Sequence, residues 1–300
     1  MVTTSIQPSP SRLQSALGYL NWVFNPFQRL GVVGVYDLLS TGSPTEKGLY
    51  LNLGYWPDAK DLDSACDALA MLVADSADMG AGDQVLDVGY GFGDQDLLWA
   101  RQCRPERIIG LNVTASQVAV ARQRVEAAGL GDRLDLRQGS ATQMPLEDAS
   151  VDKVVAVECA FHFVTREDFL REAWRVLRPG GRLVTADILP MPRVSGVWAR
   201  LRQGLSWWLV ASKFAIPEAN TYTRPTYHSL LTLRGFEDVR VESIRDQVYA
   251  PLHAYLQQHP ETVRRLHPIA RLAAYFALRF DASSVYSGLD YVLVSATKPG

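Results

Sequence analysis

Glu158 and His162 stand four residues apart in the stretch Glu158-Cys159-Ala160-Phe161-His162-Phe163, directly after an apolar run. A neutral imidazole, with an ordinary pKa of about 6.5, can take a proton from a hydroxyl group. Glu158 can orient that imidazole, contact bound water, or act as the base itself, and the spacing does not choose among these. A hydrogen-bonded histidine with a structural role has the same look. A second stretch, Val85 to Ala100, runs from apolar residues interrupted by Asp87 into Gly89, Gly91 and Gly93. Glycines permit positive φ and let a ligand approach the backbone with no Cβ in the way. A nucleotide-like ligand at the carboxyl edge of a parallel sheet suits this layout, although a plain strand-to-helix turn shares it.

For the two stretches to meet, strands must deliver both to one edge of one sheet. The sequence predicts strands at Gln84–Val88, Arg107–Leu111, Arg133–Gln138, Lys153–Val157, Arg182–Asp187, Asp238–Ile244 and Asp290–Thr297. Helical patterns lie between them, from Asp94 to about Cys103, over Ser116–Ala128 and near Arg166–Leu177. Strands separated by helices indicate an α/β fold with a parallel sheet covered on both faces. Ahead of the sheet, Asp61–Met79 reads as a helix with an aspartate near its start. Leu13–Leu39 reads as two helices broken at Pro26, and the spacing of Leu30, Val33, Tyr36 and Leu39 reads as a packing face. That pair is expected to pack on the core; a lid over an apolar substrate is the sharper alternative. Residues 1 to about 12, rich in Ser, Thr and Pro, are expected to be disordered.

Composition narrows the class. The chain has 300 residues, 47% hydrophobic, and a net charge of -2. That charge offers no bulk attraction for nucleic acid. Cys66, Cys103 and Cys159 match no metal or CxxC spacing and suit a reducing cytosol. The opening MVTTSIQPSPSR has no basic start before an apolar core, so no secretory signal is expected, and no apolar run reaches membrane-spanning length. His228, His253, His259 and His267 show no ligand spacing, so no metal is expected.

The chain resembles the class I S-adenosylmethionine (SAM) dependent methyltransferases, and most nearly the erythromycin-type O-methyltransferases of bacterial secondary metabolism. The resemblance rests on Asp87-Val88-Gly89-Tyr90-Gly91-Phe92-Gly93 and on the phrases YLNLGYW (50–56), GLNVTASQ (110–117), GSATQMP (139–145), AFHF (160–163) and RVLRPGGRL (175–183). It implies a Rossmann-like seven-stranded fold with an antiparallel last strand, helical lid and cap insertions, and SAM as cofactor with S-adenosylhomocysteine as its product. It implies that Asp87 and the glycines serve the methionine end of the cofactor, Asn112 and Gln117 its ribose, and Ser140 and Ala141 its adenine. Asn112 and Ser140 stand where many relatives carry acidic residues. Asn can both donate and accept, so it still suits a diol. The phrase holding Tyr50 and Tyr55 lies, in such relatives, over the methionine tail and beside the acceptor site.

On this reading residues 1–80 form an N-terminal lid and cofactor-covering segment, and 81–189 the SAM-binding core. Residues 190–233 form a helical substrate cap. Residues 234–300 complete the sheet around a second cap at 245–288. Trp207, Trp208 and Tyr222 are expected to line a large apolar acceptor pocket for a polyketide or macrolide, terpenoid or sterol. The expected reaction is transfer of the SAM methyl by SN2 displacement to a hydroxyl, with activity rising through the His162 pKa. C-methylation of an alkene such as a prenyl diphosphate, with Glu158 as base, is the alternative, and Arg264, Arg265, Arg271 and Arg279 suit a phosphate. The arginine stripe also suits a membrane surface, which the overall negative charge disfavours. A nicotinamide oxidoreductase is disfavoured because the glycines read GxGxG, and a SAM-fold binding protein without catalysis is disfavoured by the two insertions.

Overall fold

The computed structural model describes residues 12–25, 28, 30–39 and 43–300. The expectation of disorder over the first residues and the expected break at Pro26 fall outside them. On either side of that position stand α1 (Arg12–Phe24) and α2 (Val32–Leu39), followed by α3 (Leu62–Ala77). The alternating part comprises β1 (Gln84–Val88), α4 (Asp94–Gln102), β2 (Arg107–Asn112), α5 (Ala115–Ala127), β3 (Leu134–Gln138), β4 (Val151–Val157), α6 (Arg166–Val176) and β5 (Leu177–Pro190). Then come α7 (Val197–Lys213), α8 (Arg224–Leu233), β6 (Glu237–Ser243), α9 (Arg245–Gln258), α10 (Pro260–Arg264), α11 (Pro268–Ala277), α12 (Ala282–Val285) and β7 (Leu289–Thr297).

The seven strands lie in the order β3-β2-β1-β4-β5-β7-β6. β7 runs antiparallel to both neighbours and the other registered pairs are parallel. This is the Rossmann-like α/β sheet that the sequence implied. β1 and β4 are direct neighbours, although β2 and β3 lie between them in sequence. At such a switch point the chain leaves adjacent strands in opposite directions and opens a crevice above their carboxyl ends.

β1 and β4 read as nearly unbroken apolar runs because helices cover both faces of the sheet. One core layer gathers Leu69, Val73, Trp99, Val118 and Tyr291 under α3, α4, α5 and α9. The other gathers Phe169, Leu170, Tyr227 and Leu231 under α6 and α8. The Trp99 indole donates to the carbonyl of Ala70 at 2.9 Å, joining α4 to α3. Asp61 starts α3 by accepting from the Ser64 amide while Ser64 bonds back, which completes a capping box. Thr165 and Asp168 do the same for α6.

Two expectations change. β5 is longer than Arg182–Asp187 at both ends, because Leu177 pairs with Val151 of β4 and Pro190 with Leu289 of β7. The end of the expected 190–233 cap is a core helix: α8 buries Tyr227 and Leu231 and packs beside β6. Among the described residues, no helix is long and apolar enough to cross a membrane.

Candidate active site

A cavity of about 370 Å³ lies above the carboxyl ends of β1 to β4. Its floor is the glycine turn after β1, its flanks the loops after β2, β3 and β4, and its cover Gly31 to Tyr36 of the α2 region with Leu49–Asn52. The volume falls in the range of about 300–1,000 Å³ typical of small-molecule sites.

The floor is tightly built. Gly89 has φ 78°, and a Cβ there would fall 2.6 Å from both Cβ and Sγ of Cys159. The loops after β1 and β4 therefore approach as closely as glycine permits, and the Cys159 thiol donates to the Val88 carbonyl at 2.9 Å. Gly91 differs: its φ is 59°, and an added Cβ would meet nothing nearer than Leu51 Cδ1 at 3.8 Å, on the cavity side. Asp87 is fully buried and does not reach the cavity. Its Oδ2 accepts from Gln95 Nε2 at 3.0 Å, and Gln95 lines the cavity in its place. Burial raises the pKa of Asp87 and of its buried neighbour Asp96.

Beside this floor, Asn112 Nδ2 donates to the Gly91 carbonyl at 3.1 Å and to Gln117 Oε1 at 2.9 Å. Ser140 Oγ accepts from the Thr142 amide at 3.2 Å, holding the turn after β3. The cavity thus offers side-chain amides and a hydroxyl at one side and the apolar surfaces of Leu111, Val113 and Ala141 between them. A nucleoside with an amino-acid tail needs that mixture, and the glycine floor leaves room for it.

Three carboxylates from three elements hold the covering segment down. Asp63 accepts from the amides of Glu46, Lys47 and Gly48 at 2.6, 3.0 and 2.8 Å. Asp94, itself paired with Arg124 at 2.6 Å, accepts from the Leu49 amide at 3.1 Å. Glu158 Oε1 accepts from the Leu53 amide at 2.6 Å and from the Tyr291 hydroxyl at 2.5 Å. Burial pushes the Glu158 carboxyl up to about 7 despite both hydrogen bonds. Its backbone is left-handed, φ 50°, a conformation that costs a non-glycine residue roughly 1–3 kcal/mol and concentrates at functional positions.

His162 ends a short 3₁₀ turn, Ala160–His162, and is 3% exposed. Its Nε2 lies 2.7 Å from the Tyr36 hydroxyl of α2. Burial drives the imidazole down to about 3, with the Phe214 backbone opposing part of that effect. The ring is therefore neutral near pH 7, and the expected rise of activity through an ordinary imidazole pKa is corrected accordingly. Asn220 holds the turn on both sides of the ring: its Nδ2 donates to the carbonyls of Phe161 (3.0 Å) and Phe163 (2.7 Å). Asn220 Oδ1 accepts from the Arg166 amide at 2.8 Å, and the buried Arg166 guanidinium pairs with Asp187 at 2.9 Å.

The fold thus brings Gly89, Gly91, Asn112, Gln117, Ser140, Ala141, Tyr50, Glu158 and His162 to one cavity. Gly93 lies just behind it as the N-cap of α4. The Tyr50 hydroxyl is engaged with Asp67 at 2.5 Å. Tyr55 is outside the cavity, its amide bonded to the Ala65 carbonyl. The structure does not bring Trp207, Trp208 or Tyr222 there either. Trp207 packs on the central core, Trp208 is 45% exposed, and Tyr222 lies over Arg166 at 4.8 Å. No residue of 190–288 lines the cavity, so the expected roof is replaced by the α2 region, for which packing alone had been favoured. Tyr36 was missed because it continues an apolar helical stripe; a hydroxyl within that stripe was the available signal. Asn220 and Gln95 had no local signal at all. The four arginines of 264–279 stay off the cavity as well: Arg265 pairs with Glu46, and Arg271 bonds the carbonyls of Arg264 and Leu266.

Gly91→Val places a β-branched side chain at a left-handed position and fills the cavity side of the turn. Calorimetry with S-adenosylhomocysteine is expected to show affinity lower by about 1–3 kcal/mol, roughly five- to 150-fold. Unchanged affinity in a folded variant would refute a ligand at this turn.

A methyltransferase domain family model matches residues 86–185. Erythromycin 3''-O-methyltransferase of Saccharopolyspora erythraea is 37% identical over 85% of this chain and 86% of its own. The 27-O-demethylrifamycin SV methyltransferase of Amycolatopsis mediterranei is 31% identical over 84% of this chain and 91% of its own. Among solved structures, geranyl diphosphate C-methyltransferase of Streptomyces coelicolor superposes with a TM-score of 0.65 at 18% identity, covering 97% of this chain and all of that one.

Proposed function

Because this chain belongs to the class I SAM-dependent small-molecule methyltransferases, with SAM as its cofactor, we propose that it methylates a hydroxyl of a bulky apolar molecule and that His162 receives the proton. The carrying observation is the meeting of His162 and Glu158 with the glycine turn at one cavity. On this reading Gly89, Gly91 and Gly93 cradle the methionine end of the cofactor, with Asp87 acting through Gln95. Asn112 and Gln117 face the ribose, and Ser140 and Ala141 the adenine. Tyr50 closes the site from the covering segment.

When bound, the cofactor supplies an activated methyl on a sulfonium centre. The chain then has to align the acceptor oxygen, exclude water and take up a proton. His162 meets the last requirement as a neutral base. Its lone-pair position is held by Tyr36, so the acceptor hydroxyl takes the place of that phenol, and α2 gives way to admit it. A cavity of about 370 Å³ has room for the cofactor, and a macrolide-sized or sterol-sized acceptor needs that opening. The names of the two relatives refer to O-methylation, which supports a hydroxyl acceptor, and a polyketide or macrolide is the acceptor class we favour. Free Cys66, Cys103 and Cys159 accord with a cytoplasmic setting.

C-methylation of an alkene is the second reading. It is favoured by Glu158, a strained carboxylate of near-neutral pKa on the same cavity. Mass spectrometry and NMR of products formed from methyl-labelled SAM in an extract of the source organism decide between them. An O-methyl product is expected. A C-methyl product transfers the base role to Glu158, and no labelled product at all overturns the enzymatic reading.

A further inference from the structure

Three helices, α1, α7 and α11, meet at one small core: Tyr19 and Trp22 of α1 and Val35 of α2 pack with Phe214, the C-cap of α7, and with Ile269 and Ala270 of α11. α1 contacts both partners directly. Tyr19 stacks on His267 beside α11 at 3.8 Å, and Trp22 Nε1 donates to the Lys213 carbonyl at the end of α7 at 2.7 Å. Each helix also carries an outer, exposed apolar stripe. α1 exposes Leu13, Leu17, Leu20 and Phe24, all on one helical face. α7 exposes Trp198 (83%), Leu201, Leu205 and Leu209, and the α11 region exposes Leu272, Phe276 (64%) and Phe280. Scattered exposed leucines need no explanation, whereas neighbouring stripes of this kind mark an interaction surface.

The charge on these helices selects the partner. None of the three sequences contains an aspartate or glutamate, while α7 and α11 carry Arg200, Arg202, Lys213 and Arg271. Among the described residues, none of those four pairs with a carboxylate. The whole chain is nevertheless net negative, so these helices are locally positive, although Asp281 adjoins Phe280 at the edge of the stripe. Exposed Trp, Phe and Leu flanked by Arg and Lys are the composition of a face that lies in the headgroup region of a bilayer. A second copy of the same face would set cation against cation.

We propose that the outer faces of α1, α7 and α11 dock on an anionic lipid surface. The negative net charge that argued against membrane contact loses its force, because charge acts within about 8–10 Å at ordinary ionic strength and the local sign is positive. Docking there puts the enzyme against the phase in which an apolar acceptor dissolves.

Sedimentation with vesicles tests this. The full chain is mixed with vesicles of phosphatidylcholine alone or of phosphatidylcholine containing phosphatidylglycerol, at low and high salt. At low salt, partition onto the anionic vesicles is expected to exceed that onto neutral ones at least about tenfold, and to weaken at high salt. Leu205→Glu/Phe276→Glu is expected to lower it at least about tenfold, with unchanged melting temperature and S-adenosylhomocysteine affinity. If that variant does not fold, Arg200→Gln/Arg202→Gln removes charge without touching the apolar stripe, and is expected to abolish the preference for anionic vesicles. Equal partition of the wild-type chain onto both vesicles overturns the proposal. So does a wild-type dimer, seen by analytical ultracentrifugation, that Leu205→Glu/Phe276→Glu turns into a monomer, since the face then belongs to a second copy.

Discussion

His162→Ala is expected to lower kcat by about 10²–10⁴ while S-adenosylhomocysteine affinity stays within a few-fold of wild type. The ring lines the cavity, and the only described side chain bonded to its Nε2 is the Tyr36 hydroxyl at 2.7 Å. A pKa near 3 does not disqualify it. The proton it receives comes from an oxonium-like centre, far more acidic than an imidazolium ion. The sign of the pH dependence follows from that value. The base must be neutral, and burial keeps it neutral down to about pH 3, so His162 adds no limb to kcat between pH 5 and 8. A limb near 7 belongs instead to Glu158, held there by burial, and is expected to vanish in Glu158→Gln. Stopped-flow or steady-state rates across pH separate the two. Near-normal kcat in a folded His162→Ala enzyme would end the proposed role and leave Glu158 as the base. Tyr36→Phe removes the phenol bonded to His162 Nε2; a lower acceptor KM with kcat retained is expected if that phenol only competes with the acceptor.

Arg166→Met is expected to destabilise the fold by about 3–5 kcal/mol, a large part of the total stability of a typical domain. Arg166 and Asp187 are both fully buried, and removing the guanidinium leaves a carboxylate in the core with no counter-charge. The guanidinium also sits over the rings of Tyr222 and Tyr227 at 4.8 and 5.0 Å and donates to the Asn220 carbonyl at 3.0 Å. Its loss therefore slackens the clamp on the His162 turn as well. The pH dependence has a defined direction. Asp187 is already raised by burial, and without Arg166 to oppose this it rises further. The folded variant then binds more protons than its unfolded chain, so the deficit shrinks as pH falls and grows as it rises. Arg166→Met/Asp187→Leu is expected to recover much of the loss, because no charge remains to be buried. Chemical denaturation that finds Arg166→Met within about 1 kcal/mol of wild type would show that the pair contributes little.

The sheet could be read from the chain because its signals are local. Apolar runs of strand length, glycines after Val88 and helical spacing between strands each depend on a few consecutive residues, and six of the seven strands fall within about two residues of their expected bounds. β5 ran longer because its two ends depend on pairing with other strands, Leu177 with β4 and Pro190 with β7. The same distinction divides the site. Asn112, Gln117, Ser140, Glu158 and His162 follow strand ends, and a parallel sheet sends all such ends to one edge whatever else the chain does. Tyr36, Asn220 and Arg166 owe their places to contacts across long stretches of chain, which no local pattern encodes.

Aromatic density misled in the region after β5. Trp207 and Tyr222 are large apolar groups, and the sequence cannot say whether such groups face a ligand or a core, since burial stabilises them equally in either place. Here tertiary packing put Trp207 on the core, Tyr222 over Arg166 and Trp208 on the outer face of α7. The sequence by itself determined the fold class and which residues the strand ends deliver to one edge of the sheet. The tertiary structure alone decided which helix covers that edge, how far burial depresses His162, and which apolar faces remain uncovered, because each depends on what lies opposite a side chain in space.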